Sequence, residues 1–106
     1  MVSFMSDLFR RERLFLGRRD RLIVYIDILK AILECSRYNE NGRAKFTHVM
    51  YRSNLSSKRL KERLLELSYL DLVVWDGTGL KLTKKGLRFL KDCEKALRII
   101  MSYLKK

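Results

Sequence analysis

The side chains able to do chemistry in this sequence are mostly basic, and their placement suits a polyanion better than a reaction. Seven bases against one acid fall between Arg43 and Leu64, and nine against two between Lys81 and Lys106. Residues 65–80 between them hold three acids and no base, so most of the formal +12 of the chain sits in two blocks. Solubility alone needs a net charge of about 2 to 8, and a stronger, uneven field attracts nucleic acid or an anionic membrane surface. Catalysis lacks parts. The single histidine, His48, stands at a basic helix start, no carboxylate pair has useful spacing, and there is no glycine-rich phosphate loop. The sequence therefore predicts no enzymatic activity, no cofactor and no small-molecule ligand. Two cysteines, Cys35 and Cys93, with no CxxC pair and one histidine, assemble no zinc site. They read as helix-face residues in a reducing cytoplasm; a bridge between them is the alternative if the source is a hyperthermophile.

Within the first basic block, Ser56 is placed to cap a helix running to about Tyr69, with Leu60, Leu64 and Leu67 on one face. At about 100° per residue, Lys58 and Glu62 lie opposite those leucines, with Lys61 and Leu65 beside them. Ser56 and Ser57 stand at the helix N-terminus, where free amides and the helix dipole favour a phosphate. The helix is expected to enter the major groove of duplex DNA, with Ser57, Lys58, Lys61 and Glu62 nearest bases or backbone. An acid on that surface opposes binding unless it accepts from a cytosine amine, so Glu62 is expected to pair with Lys58 four residues earlier. Thr47 and His48 open a preceding helix that should lie across the phosphates. Arg43, Lys45 and Arg52 add backbone contacts there, and Lys81 adds one from a following hairpin. This amounts to roughly six to eight phosphate contacts per protomer and a steep salt dependence. Tyr38, Tyr51, Tyr69 and Trp75 read as packing residues.

The elements that must hold these residues are legible from periodicity. With 106 residues the chain has the size of one domain, and no apolar run approaches the roughly 20 residues that span a bilayer. Asp20–Tyr38 is predicted as a helix capped by Asp20, with Leu22, Ile26, Leu29 and Leu33 in one stripe, widened by Ile23, Ile28 and Ile32. Asn39–Gly42 stops it. A short helix follows over Thr47–Asn54, with Thr47 as cap, Val49 and Met50 inward, and Asn54 in the left-handed position that allows a tight turn plugged by Leu55. Two helices so joined make a helix-turn-helix. Leu72–Trp75, the turn Asp76–Gly79 and Leu80–Leu82 then read as a β-hairpin, which in that place is a wing. Thr83 caps a last helix, in which Leu90, Cys93, Leu97, Ile100 and Leu104 fall on a and d positions, with Phe89, Ala96 and Tyr103 alongside. So wide a stripe needs a partner surface. The reading favoured is homodimerisation through Phe89, Leu90, Cys93, Leu97, Ile100 and Leu104. Folding back on the Asp20–Tyr38 helix is the alternative, and the two are compatible on different faces. The fold class expected is mainly α with a small β-hairpin, a winged helix-turn-helix with a long C-terminal dimerisation helix. It divides into a basic extension at 1–19, the winged-helix domain at 20–83 and the dimerisation helix at 84–106. The extension reads either as an amphipathic helix on Phe4, Leu8, Phe9 and Phe15 or as a disordered arm. In both forms Arg10, Arg11, Arg13, Arg18 and Arg19 suit DNA phosphates. It lacks the apolar core of a secretion signal.

The stretch Lys45-Phe46-Thr47-His48-Val49-Met50-Tyr51-Arg52-Ser53-Asn54-Leu55-Ser56 resembles a motif of the small archaeal winged-helix DNA-binding proteins of Sulfolobus-type organisms, Lys-x-Thr-x-Ile-Met-Tyr-x-Ala-Asn-Leu-Ser. Leu80-Lys81-Leu82-Thr83-Lys84-Lys85-Gly86 is similar to their wing exit, Leu-Thr-x-Lys-Gly. The likeness covers residues 20–100. It implies a dimer joined through the C-terminal helices in an antiparallel coiled coil, binding double-stranded DNA as a chromatin component or transcription regulator. Ser57 departs from the bulky residue often found after the cap serine in that family, the last helix is shorter than in its long-armed members, and the extension at 1–19 is unfamiliar there. A cytoplasmic, nucleoid-associated protein that enters no membrane is the resulting expectation. The rival readings are a winged-helix scaffold that docks a protein partner on Glu66, Asp71 and Asp76, and RNA binding, for which the sequence offers no exposed aromatic pair to stack single strands.

Overall fold

The computed structural model describes residues 21–105. The expectations for residues 1–19 and for Asp20 as a cap lie outside them. Helix α1 (Arg21–Ser36) is central because its apolar residues occur on more than one side. Ile26, Ile28, Leu29, Ala31 and Ile32 are all buried, and the helix packs against α2 (Phe46–Ser53), the hairpin and the last helix. Leu22, expected in the inward stripe, is instead largely exposed at the helix start. The helix also ends before the expected Tyr38. Asn39 Nδ2 donates to the Cys35 carbonyl and, at 2.7 Å, to that of Arg43, and the chain turns through Gly42 at φ 69°. Tyr38 projects into solvent and has no core contact to prolong the helix.

Helices α2 and α3 (Ser57–Tyr69) are joined as the caps dictate. Asn54 adopts φ 58°, its amide reaches the Tyr51 carbonyl, and the Leu55 amide closes on the Met50 carbonyl at 3.2 Å. Asparagine tolerates this left-handed conformation, and the paired bonds satisfy carbonyls that the helix end would orphan. Ser56 then caps α3, its hydroxyl accepting from the Arg59 amide at 3.2 Å. Thr47 is not the cap of α2. That helix begins at Phe46, with Lys45 in the cap position making no side-chain bond, because Phe46 stacks on Trp75 with centroids 5.6 Å apart and draws the first turn toward the hairpin.

Leu60, Leu64 and Leu67 of α3 are fully buried, each contributing about 1.5–3 kcal/mol to anchoring the helix. A second left-handed residue, Asp71 at φ 62°, ends α3. Strands β1 (Val73–Asp76) and β2 (Gly79–Leu82) form the antiparallel hairpin, with Val73 opposite Leu82 and Asp76 opposite Gly79. Ala44 adds a one-residue bridge to Leu80, with both bonds at 2.8 Å. Thr83 caps α4 (Lys84–Leu104), its hydroxyl accepting from the Gly86 amide at 2.9 Å and donating to the Asp71 carbonyl at 2.6 Å. The start of the last helix is thereby fixed to the end of α3. The molecule is a helix-turn-helix followed by a two-stranded wing and a long terminal helix.

Helix α4 folds back on α1 along its first half, the arrangement that had been the alternative to dimerisation. Leu90 is 1 % exposed and belongs to the protomer's own core, and Phe89 and Cys93 pack partly buried against that core. These three are therefore largely taken up within the protomer. Leu97 and Leu104 remain exposed, together with Ile99, Met101 and Tyr103, and Ile100 is half-buried. Both cysteines are free thiols, and burial pushes each thiol pKa up, away from the reactive thiolate.

Candidate nucleic-acid interface

With the leucines of α3 turned inward, its opposite face is open to solvent. Ser57, Lys58, Lys61 and Glu62 are all exposed there, and among the described residues neither lysine has an ion-pair partner. Glu62 does not pair with Lys58 as expected. Its carboxylate lies 3.5 Å from Arg63, the next residue, whose guanidinium also holds Glu66 at 3.2 Å. Arg63 is itself half-buried beside α1, so a fixed cation stands nearer than the flexible lysine one turn away. Tyr25 of α1 completes the chain by donating to Glu66 at 2.6 Å. Burial, reinforced by that carboxylate, raises the Tyr25 pKa and keeps the phenol a donor.

A cleft between the start of α1 and the start of α3 brings Ser56, Lys58 and Glu62 together with Arg21 and Arg59. Sequence reasoning did not assign these two arginines. Arg59 was legible as the neighbour of Lys58 in the first turn of a capped helix, whereas Arg21 reaches the cleft only through the packing of α1 on α3. On α2, Thr47 and His48 are exposed, and Tyr51, which had been expected to pack, joins them at 78 % exposure. Tyr69 is likewise turned out at 90 %. All three tyrosines read as packing residues are therefore on the surface, and of the four aromatics so read Trp75 keeps a packing role, through Phe46.

Two basic residues assigned to phosphate contact are each paired with an acid of the protein itself, Arg52 at the surface and Arg43 largely covered. Arg52 of α2 pairs with Glu34 of α1. Arg43 lies 3.3 Å from Asp76, its side chain largely covered, in a contact ion pair that ties the connector before α2 to the wing. Lys45 and Lys81 are exposed and without ion pairs among the described residues. Asp76, which opposes DNA when viewed as a bare charge at the wing tip, is occupied. The Thr78 hydroxyl and amide donate to it at 2.6 and 2.8 Å, and these bonds, with Arg43 nearby, hold its carboxyl below the usual carboxylate range. Of the acids in the scaffold reading, Glu66 accepts from Tyr25 and pairs with Arg63, and Asp76 pairs with Arg43. Among the described residues no His, Cys, Asp or Glu cluster is placed to hold a metal ion, and no helix is long and apolar enough to cross a membrane.

A capped helix with a basic outer face, presented by a short turn and followed by a hairpin braced on the preceding loop, defines a helix-turn-helix module of the winged kind. The winged helix-turn-helix family matches residues 18–101, and the chain belongs to it. The domain of that family is typically a non-enzymatic, DNA-binding one. No curated protein matches the chain.

Proposed function

We propose that this protein binds double-stranded DNA as a homodimer, with α3 in the major groove, and serves as a transcription regulator or a nucleoid-associated chromatin component in the cytoplasm. The observation that carries this reading is the exposed Lys58 and Lys61, without ion pairs among the described residues, on the solvent side of a helix whose leucines are fully buried. Ser56 and Ser57 add amides at the helix start, Lys45, Thr47, His48 and Tyr51 extend the surface along α2, and Lys81 reaches from the wing. The likeness to the small archaeal DNA-binding proteins points the same way. With Arg43 and Arg52 paired to acids, Lys45, Lys58, Arg59, Lys61 and Lys81 leave about five cations per protomer for phosphates. Lowering of log K by about 0.9 per contact then gives a salt slope of about −4 to −5 per protomer. Gel-shift titration of a duplex at two salt concentrations measures it. Binding that ignores salt, or no binding, supports the protein-scaffold reading instead.

Dimerisation in this proposal uses the distal part of α4, where Leu97, Ile100, Met101 and Leu104 share one stripe beyond the protomer's own core. Sedimentation equilibrium is expected to give a dimer for the native chain and a monomer for Leu97→Glu combined with Leu104→Glu. A dimer mass for that variant removes α4 from the interface.

A further inference from the structure

The outer face of α3 carries more than lysines. Lys58, Glu62, Leu65 and Tyr69 are spaced at four, three and four residues and form one stripe directly opposite the buried leucines. At 1.5 Å per residue the stripe is about 16 Å long, against a major groove about 12 Å wide. In the placement of α3 proposed above, with Lys58 and Tyr69 toward the phosphate walls, Glu62 and Leu65 would lie over base edges. The two differ in availability. Glu62 is drawn to Arg63, itself held by Glu66 and Tyr25, so the carboxylate is engaged along the helix. Leu65 is 64 % exposed, and the residues sharing its turn on that face, Lys61 and Glu62, leave its side chain uncovered.

A leucine offers no hydrogen bond, and the one apolar group on a base edge in the major groove is the 5-methyl of thymine. We infer that Leu65 is a specificity-determining residue that covers a thymine methyl, so that the protein prefers thymine at the position beneath the middle of α3. The inference rests on the placement of α3 in the major groove proposed above. It assigns base preference to an apolar contact, while the cations fix the helix against the backbone without reading sequence.

Replacing thymine by deoxyuridine removes this methyl and leaves charge and base-pairing groups in place. The test compares binding of the native chain to an alternating dA·dT duplex and to its deoxyuridine counterpart, at one salt concentration. The thymine duplex is expected to bind tighter by about fourfold for each methyl covered. In Leu65→Ala the two duplexes should bind alike, and Leu65→Met, which keeps a long apolar side chain, should restore the preference. Equal binding of the two duplexes by the native chain overturns the inference and leaves the DNA reading standing. A preference that persists in Leu65→Ala assigns the methyl to another residue and also overturns it. Binding of neither duplex removes the DNA reading itself.

Discussion

Gly86→Ala is expected to lower stability by about 3 kcal/mol. A Cβ at that position would lie 2.0 Å from the Leu72 carbonyl oxygen and 2.9 Å from its carbon, well inside contact distance and against backbone. The obstructing segment has little freedom to retreat. The Leu72 amide donates to the Leu67 carbonyl at 2.9 Å, the Leu72 carbonyl accepts from the Thr83 amide at 3.1 Å, and the carbonyls of Asp71 and Leu70 hold Thr83 and Lys85. The first turn of α4 would have to move outward, and Leu90, one turn on, would leave the core. Against a total of about 5–15 kcal/mol such a loss is severe. Urea unfolding followed by circular dichroism measures it as a fall in midpoint at constant slope. Gly77→Ala at the wing tip, with nothing within 4 Å of its Cβ, serves as the control and should shift the midpoint by no more than about 0.5 kcal/mol. An unchanged midpoint for Gly86→Ala would mean that α4 does not cross Leu72 this closely.

Gly86 also shows what a sequence exposes and what it withholds. Its place in the wing-exit motif was visible, but the carbonyl it must pass is fourteen residues away and is met only after folding. Caps behave differently. Asn54, Ser56 and Thr83 satisfy amides or carbonyls within a few residues of themselves, so their types and positions were enough to place the turn, α3 and α4. The leucines of α3 were equally legible because a period fixes a face. Errors arose wherever the deciding partner was distant. Phe46 begins α2 because of Trp75, Arg43 and Arg52 are held by Asp76 and Glu34, and Glu62 is turned by an arginine that α1 helps to bury. Leu90 belonged to two valid patterns, a heptad and a core stripe, and periodicity alone does not rank them. The tyrosines were misplaced for a related reason. An aromatic ring with a polar tip suits a core edge and a ligand-facing surface alike, so residue type did not assign a side.

Lys58→Ala combined with Lys61→Ala is expected to cut affinity for duplex DNA well over tenfold while leaving thermal stability nearly unchanged. Both halves follow from the position of the two side chains. Neither touches the core, neither has an ion pair among the described residues, and alanine is at least as good a helix former as lysine. Removal should therefore fall within about 0.5 kcal/mol on stability. Binding loses two phosphate-neutralising charges per protomer, which should flatten the salt slope by about 2 per protomer as well as weaken affinity. The slope matters because affinity alone does not distinguish a contact from a general loss of positive field. Lys91→Ala with Lys95→Ala, an exposed pair on α4 away from the proposed surface, makes the same change in net charge and supplies the comparison. Fluorescence anisotropy over a series of salt concentrations should show a flattened slope for the α3 pair and a nearly native one for the α4 pair. Equal losses in the two variants would mean that attraction is a property of the whole charge, and the outer face of α3 would no longer be the surface that meets DNA.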